Sequence, residues 1–137
     1  MDITISQAQG RVPVSVIAVN GKLDSQTYQE LIGKTRDLYE AGTRDILIDL
    51  TGLTYISSAG MVALHTIALL LRGESLPDLE QGWASVKSID RSRDAGLQRH
   101  IKLLNPQPEV NNVLEMVGFS QIFEIFSDRE KAVQAFE

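Results

Sequence analysis

The stretch DILIDLTGLTYISSAGMVALHTIALLL, residues 45–71, decides the fold. Its opening DILIDL (45–50) is a short apolar run bounded by turn-forming residues, the pattern of a strand buried on both faces. Its close, MVALHTIALLL (61–71), is apolar nearly all round a helical wheel, so the spacing predicts a helix packed deep in a domain. Between them stands YISSAG (55–60), two hydroxyls and two of the smallest residues at the joint of two core elements. A joint this small lets something approach the backbone closely, or lets a hydroxyl be reached from outside.

Upstream, residues 2–6 (DITIS) and 12–20 (VPVSVIAVN) are rich in β-branched residues, and Gly10 marks a turn between them. They read as a hairpin, with Pro13 suggesting an edge position. Asp24 is placed to cap a helix whose apolar positions Tyr28, Leu31, Ile32, Leu38 and Tyr39 follow the 3.6 period. Gly42 stops that helix as the residue just past its end. Downstream, HIKLLN (100–105) reads as a strand, and Val110, Val113, Leu114 and Val117 share one helical face that Gly118 ends. QIFEIF (121–126) alternates like a strand, and Ser127 with Glu130 has the spacing of a capping box for a last short helix. Strands alternating with helices predict one α/β domain over residues 1–137. Its mixed central sheet has about five strands, with four helices mainly on one side.

Residues 72–98 break the rhythm, with charges of both signs, three glycines, no sustained period and the only tryptophan, Trp83. A connection this long inside a compact domain is usually functional or without fixed structure. Trp83 either folds onto the domain's own surface or anchors a partner.

Composition narrows the function. A chain of 137 residues suffices for one domain that buries roughly two thirds of its unfolded surface. The net charge of −5 and the lack of clustered Lys and Arg argue against nucleic-acid binding. With no cysteine, disulfides, thiolate catalysis and Cys-bound metals are excluded. The N-terminus lacks the basic and apolar regions of a secretory signal, and no apolar run approaches the ~20 residues of a membrane span. The expectation is a soluble, cytoplasmic protein with no membrane insertion.

Candidate catalytic motifs are incomplete. Ser58-Ala59-Gly60 matches the second half of the nucleophile elbow G-x-S-x-G, but position 56 is isoleucine. His65 lies seven residues along the same predicted helix, ~10 Å at 1.5 Å per residue, beyond hydrogen-bond reach. Gly33-Lys34-Thr35 resembles the end of a P-loop, but the first glycine is replaced by Tyr28 and the stretch falls inside a helix. His65 and His100 have no neighbouring ligands in the sequence, so no metal or cofactor is expected. What remains is Ser57 and Ser58 at a helix start. Serines favour such positions as caps, and the free N–H groups and dipole there favour an anion, including a phosphate carried by the serine itself.

Three motifs together, GKLD (21–24) before the first helix, DLTGLTYISSAGM (49–61), and NPQPEV (105–110) followed by LEMVGF and IF, resemble the STAS domain family. That family includes bacterial anti-sigma factor antagonists and the cytoplasmic part of sulphate transporters. The resemblance spans almost the whole chain except about 73–98, which looks like a loop insertion. It implies a non-enzymatic protein that binds an anti-sigma factor with serine protein kinase activity, frees a sigma factor, and is switched off by phosphorylation. The acceptor falls on Ser58. Ser57 stands where an aspartate is frequent, and Ala59 where a second serine is. Asp24 matches the aspartate of the loop beside the acceptor helix, and the implied partner surface comprises Asp24, Ser25, Ser57, Ser58, Ala59, Gly60 and Met61. A homodimer is compatible with it. Two other uses of the domain stay open: a scaffold or adaptor for another regulator or a transporter, without a phosphoswitch, and a small-molecule-binding domain.

Overall fold

The computed structural model describes residues 2–72 and 98–136. Most of the segment read as an insertion, including Trp83, lies outside the described residues. Ten elements follow in order: β1 (Asp2–Gln9), β2 (Pro13–Leu23), α1 (Tyr28–Glu40), β3 (Ile46–Asp49), β4 (Leu53–Ile56), α2 (Ser58–Leu71), β5 (Ile101–Leu104), α3 (Pro108–Met116), β6 (Ile125–Phe126) and α4 (Arg129–Gln134).

The six strands form one mixed sheet in the order β1-β2-β3-β5-β6, with β4 paired to the far end of β2. β1 and β2 are antiparallel and every other pair is parallel. β2 therefore has three partners. Its residues Ser15–Ala18 pair with β3, and after a register shift at Gly21/Lys22 its last residues pair with β4. Gly21 sits at φ 102°, a conformation that costs glycine nothing, and its N–H donates to the Gly52 carbonyl at 2.9 Å.

Alternation along the strands divides the core in two. Ile17, Val19, Ile46, Ile48, Ile101 and Leu103 face α1, α2 and α3 in the larger cluster. Val14, Val16, Leu47 and Leu104 face Ala132, Val133 and Phe136 of α4 and the residues after it. Among the described helices three cover one face and the shortest covers the other. α2 is the centrepiece: nine consecutive residues, Ala63 to Leu71, are buried, His65 among them with no exposure.

Several local expectations are corrected. The sheet has six strands because LTYI, whose last two residues the sequence reading assigns to the start of the joint, forms β4 on the kinked end of β2. Pro13 opens a strand flanked on both sides; as the first residue of β2 it gives up no ladder hydrogen bond, and the edge belongs to β1. QIFEIF is a strand only at Ile125–Phe126. Phe119–Gln121 form a 3₁₀ turn that buries Phe119 and Phe123 edge to face, rings 5.2 Å apart, so core packing overrides the alternation. Asp24 does not cap α1. Its carboxylate accepts from the Gln26 N–H and its carbonyl from the Thr27 and Tyr28 N–H groups, closing a turn before the helix begins at Tyr28. At the last helix Asp128 displaces Ser127 as the cap, accepting from the Lys131 N–H at 3.1 Å. Gly42 (φ 111°) and Gly118 (φ 81°) do end their helices in the left-handed region, as the sequence predicts.

β5 holds a feature the apolar reading of its strand passed over. Lys102 is 3% exposed, on the α4 side of the sheet, with its ammonium 2.8 Å from Glu124 and 5.2 Å from the centre of the Phe136 ring. A charge this deep persists because it is paired and lies over an aromatic face.

Candidate functional site

The site is built where β2 ends and α2 begins. The Leu23 carbonyl accepts the Ser57 N–H at 2.9 Å, so the residue before Asp24 touches the residue before the predicted acceptor. The loop of Asp24 and Ser25 and the start of α2 are thereby brought to one edge of the molecule. Asp24 is half-buried and Ser25 exposed. Thr27, which the sequence reading missed, locks the loop: its hydroxyl accepts from the Asp24 N–H and donates to the Lys22 carbonyl, each at 2.9 Å. The D-S-Q-T spacing is the signal that identifies such a turn.

The two serines separate cleanly. Ser57 is the N-cap, with extended backbone (φ −98°, ψ 177°) and a side-chain oxygen that accepts from the Gly60 N–H at 3.3 Å. Ser58 is the first residue inside the helix and is exposed. Among the described residues its hydroxyl takes no hydrogen-bond partner. One serine builds the helix start, and the other stands on it facing outward.

Gly60 answers the question of the small joint differently from the sequence reading. It is buried, not part of an open surface. A Cβ added there would lie 2.7 Å from the Leu23 carbonyl oxygen, 2.8 Å from Ile56 Cγ1 and 2.9 Å from Leu23 Cγ. Glycine lets the first turn of α2 press against the end of β2. Ala59 is half-buried, and Met61 is half-buried against the main core.

A second set of polar groups braces the turn leading into β4. The Asp49 carboxylate accepts from the Thr51 N–H and hydroxyl. Asn105, a non-glycine residue at φ 52°, donates from its side chain to Thr51 Oγ1 at 3.2 Å, and Gln107 donates to the Thr51 carbonyl at 2.9 Å. These bonds tie the ends of β3 and β5 to the turn before Ser57. Tyr55, on β4, stays half exposed.

The histidines are elsewhere. His100 pairs with Asp45 at 2.9 Å, at the beginning of β3 and β5, whereas Ser57 and Ser58 lie beyond the far ends of the parallel strands. His65 is buried within α2. Neither is placed to take a proton from Ser58, so the half-motif of a nucleophile elbow has no base. No group of three or more potential metal ligands occurs among the described residues. No described helix is long and apolar enough to cross a membrane.

A kinked central strand, a glycine-tight helix start and an exposed serine upon it thus meet at one edge of the sheet. The model of the STAS domain family matches residues 6–74, half of the chain, and the protein belongs to that family. Over its full length the chain is 26% identical to a Bordetella bronchiseptica protein described as a candidate anti-sigma factor antagonist, BtrV, covering 96% of that protein. Its fold is similar to that of an anti-sigma factor antagonist from Mycobacterium paratuberculosis, with a TM-score of 0.64 at 16% identity, over 98% of this chain and 93% of the other. It is also similar to the Bacillus cell fate determinant SpoIIAA in its phosphorylated form, with a TM-score of 0.54 at 16% identity, over 96% of each chain.

Proposed function

We propose that this protein is an anti-sigma factor antagonist whose binding to a serine-kinase anti-sigma factor is switched off by phosphorylation of Ser58. The observation that carries the reading is the division of labour between the serines. Ser57 is committed to capping α2, while Ser58 is exposed on its first turn. A phosphate at Ser58 adds about −1.5 to −2 charges at a helix N-terminus, where the dipole tolerates an anion, so the fold survives modification. The cost falls on the partner, which meets the new charge beside Asp24. The partner surface comprises Asp24, Ser25, Ser57, Ser58, Ala59 and Met61, with Gly60 buried beneath it and shaping the helix start. The protein acts as a single cytoplasmic domain, and residues 73–98 are an insertion that tunes partner choice. It is the kinase's substrate, not an enzyme.

The test is affinity capture from the native host, with intact-mass measurement and phosphosite mapping of the captured chain. Ser58→Ala is expected to hold the anti-sigma factor constitutively. Ser58→Asp is expected to lose on the order of a hundredfold in affinity, or about 2.8 kcal/mol, while remaining folded. Phosphate mapping to Ser57, or a Ser58→Asp chain that binds as tightly as the unmodified one, would overturn the reading.

A further inference from the structure

The outer edge of β1 carries an inference independent of the switch. β1 is the last strand on its side of the sheet, and all eight of its residues pair with β2 in one register, from Asp2↔Asn20 to Gln9↔Pro13, with no bulge. Among the described residues its other edge therefore presents a row of unpaired backbone N–H and C=O groups, from every second residue. Proteins blunt such edges with short strands, lysines, prolines or bulges. The opposite edge follows that rule: β6 has two residues. β1 does not, since Ile3-Thr4-Ile5-Ser6-Gln7-Ala8-Gln9 holds no charge and no proline.

Its side chains add a second observation. Ile3 and Ile5 lie on the same face, opposite Val19 and Ile17. Ile3 packs against the main core, but Ile5 remains 39% exposed near the middle of the strand, one of the few large apolar residues left so among those described.

We propose that two copies of this chain pair antiparallel through β1, about a two-fold axis at Ile5, making one sheet continuous across the dimer. In this register Ile5 faces Ile5 of the second copy, Thr4 faces Ser6, Ile3 faces Gln7 and Asp2 faces Ala8. The two exposed isoleucines cover each other, and the hydroxyls of Thr4 and Ser6 meet across the axis. A two-fold axis brings every group near it against its own copy, so any charge there would be repelled. The strand has none between Ile3 and Gln9, which favours a second copy over a charged foreign segment. One strand edge buries less than the roughly 800 Å² per partner of a standard interface, so the dimer is weak and concentration-dependent.

The absence of cysteine makes the register testable with single substitutions in the full chain. Residues directly opposite in an antiparallel pair lie ~4.5–5.5 Å apart at Cα, within disulfide range. Ile5→Cys is expected to give a disulfide-linked dimer under mild oxidation. Thr4→Cys and Ser6→Cys should each stay monomeric alone, because each is displaced two residues from its own copy, but should cross-link when mixed. Sedimentation of the cysteine-free chain is expected to show dimer growing with concentration. Ile5→Lys, folded by circular dichroism, should raise the dimer dissociation constant tenfold or more. A chain monomeric at every concentration, an Ile5→Lys dimer of unchanged affinity, or Thr4→Cys alone cross-linking as well as Ile5→Cys would overturn the proposal. The cysteine pattern stands as its own test if Ile5→Lys fails to fold.

Discussion

Ser57 and Gly60 show how much of this site is architecture. The hydroxyl of Ser57 satisfies one of the N–H groups that a helix start leaves open, at a longish 3.3 Å. Ser57→Ala should therefore lower stability by ~0.5–1 kcal/mol in urea denaturation, whereas Ser58→Ala should change it by less than half as much. Gly60→Ala should be worse than either. Its methyl would meet a backbone carbonyl that cannot turn aside, the kind of overpacking that costs ~1–3 kcal/mol. Thermal melts of the three variants read these differences directly. The sequence made the serines legible, because two hydroxyls before an apolar helix are a capping signal whatever else they do. It could not show which serine caps, nor that Gly60 faces inward, because both depend on Leu23, 34 and more residues away in the chain, arriving against the joint.

Among the elements, α2 was the most legible. A helix apolar on all sides has nowhere to go except between a sheet and another helix, and Ala63 to Leu71 are buried accordingly. Leu64, with no exposed surface, should cost ~2–5 kcal/mol when changed to Ala, measured as a shift in denaturation midpoint at unchanged slope. The edges of elements were less legible for a consistent reason. Asp24, Ser127 and QIFEIF each carry a valid local signal, and each is overridden: Asp24 by the turn it closes before the helix begins, Ser127 by a carboxylate at Asp128, and QIFEIF by the burial of Phe119 and Phe123. β4 was hidden because its four residues, two of them exposed, alternate too briefly to stand out from the loop. Lys102 likewise sits in an apolar strand pattern and depends on Glu124, 22 residues further on, to be kept there.

At the scale of the molecule the alternating order of strands and helices was enough to give a single α/β layer with most helices on one face. It did not reveal that one strand organises the rest. β2 pairs with β1 on one side and with β3 and then β4 on the other, through the bend at Gly21. That placement orders the events of folding. The β1–β2 hairpin closes a short loop and can form in ~1–10 μs, while β3 and β4 reach β2 only after a much longer stretch of chain has been brought back. The expectation is that β2 serves as the template on which the parallel strands condense, with the site at its end completed last. Val19→Ala, on β2, should slow refolding in stopped-flow measurements, whereas Leu103→Ala, on the later β5, should chiefly hasten unfolding. If both changes act equally on the refolding arm, the sheet grows without a template. Under the proposed phosphoswitch, a chain that acquires the helix start at Ser58 only in the final step would expose no half-made acceptor to a kinase while it is still being assembled.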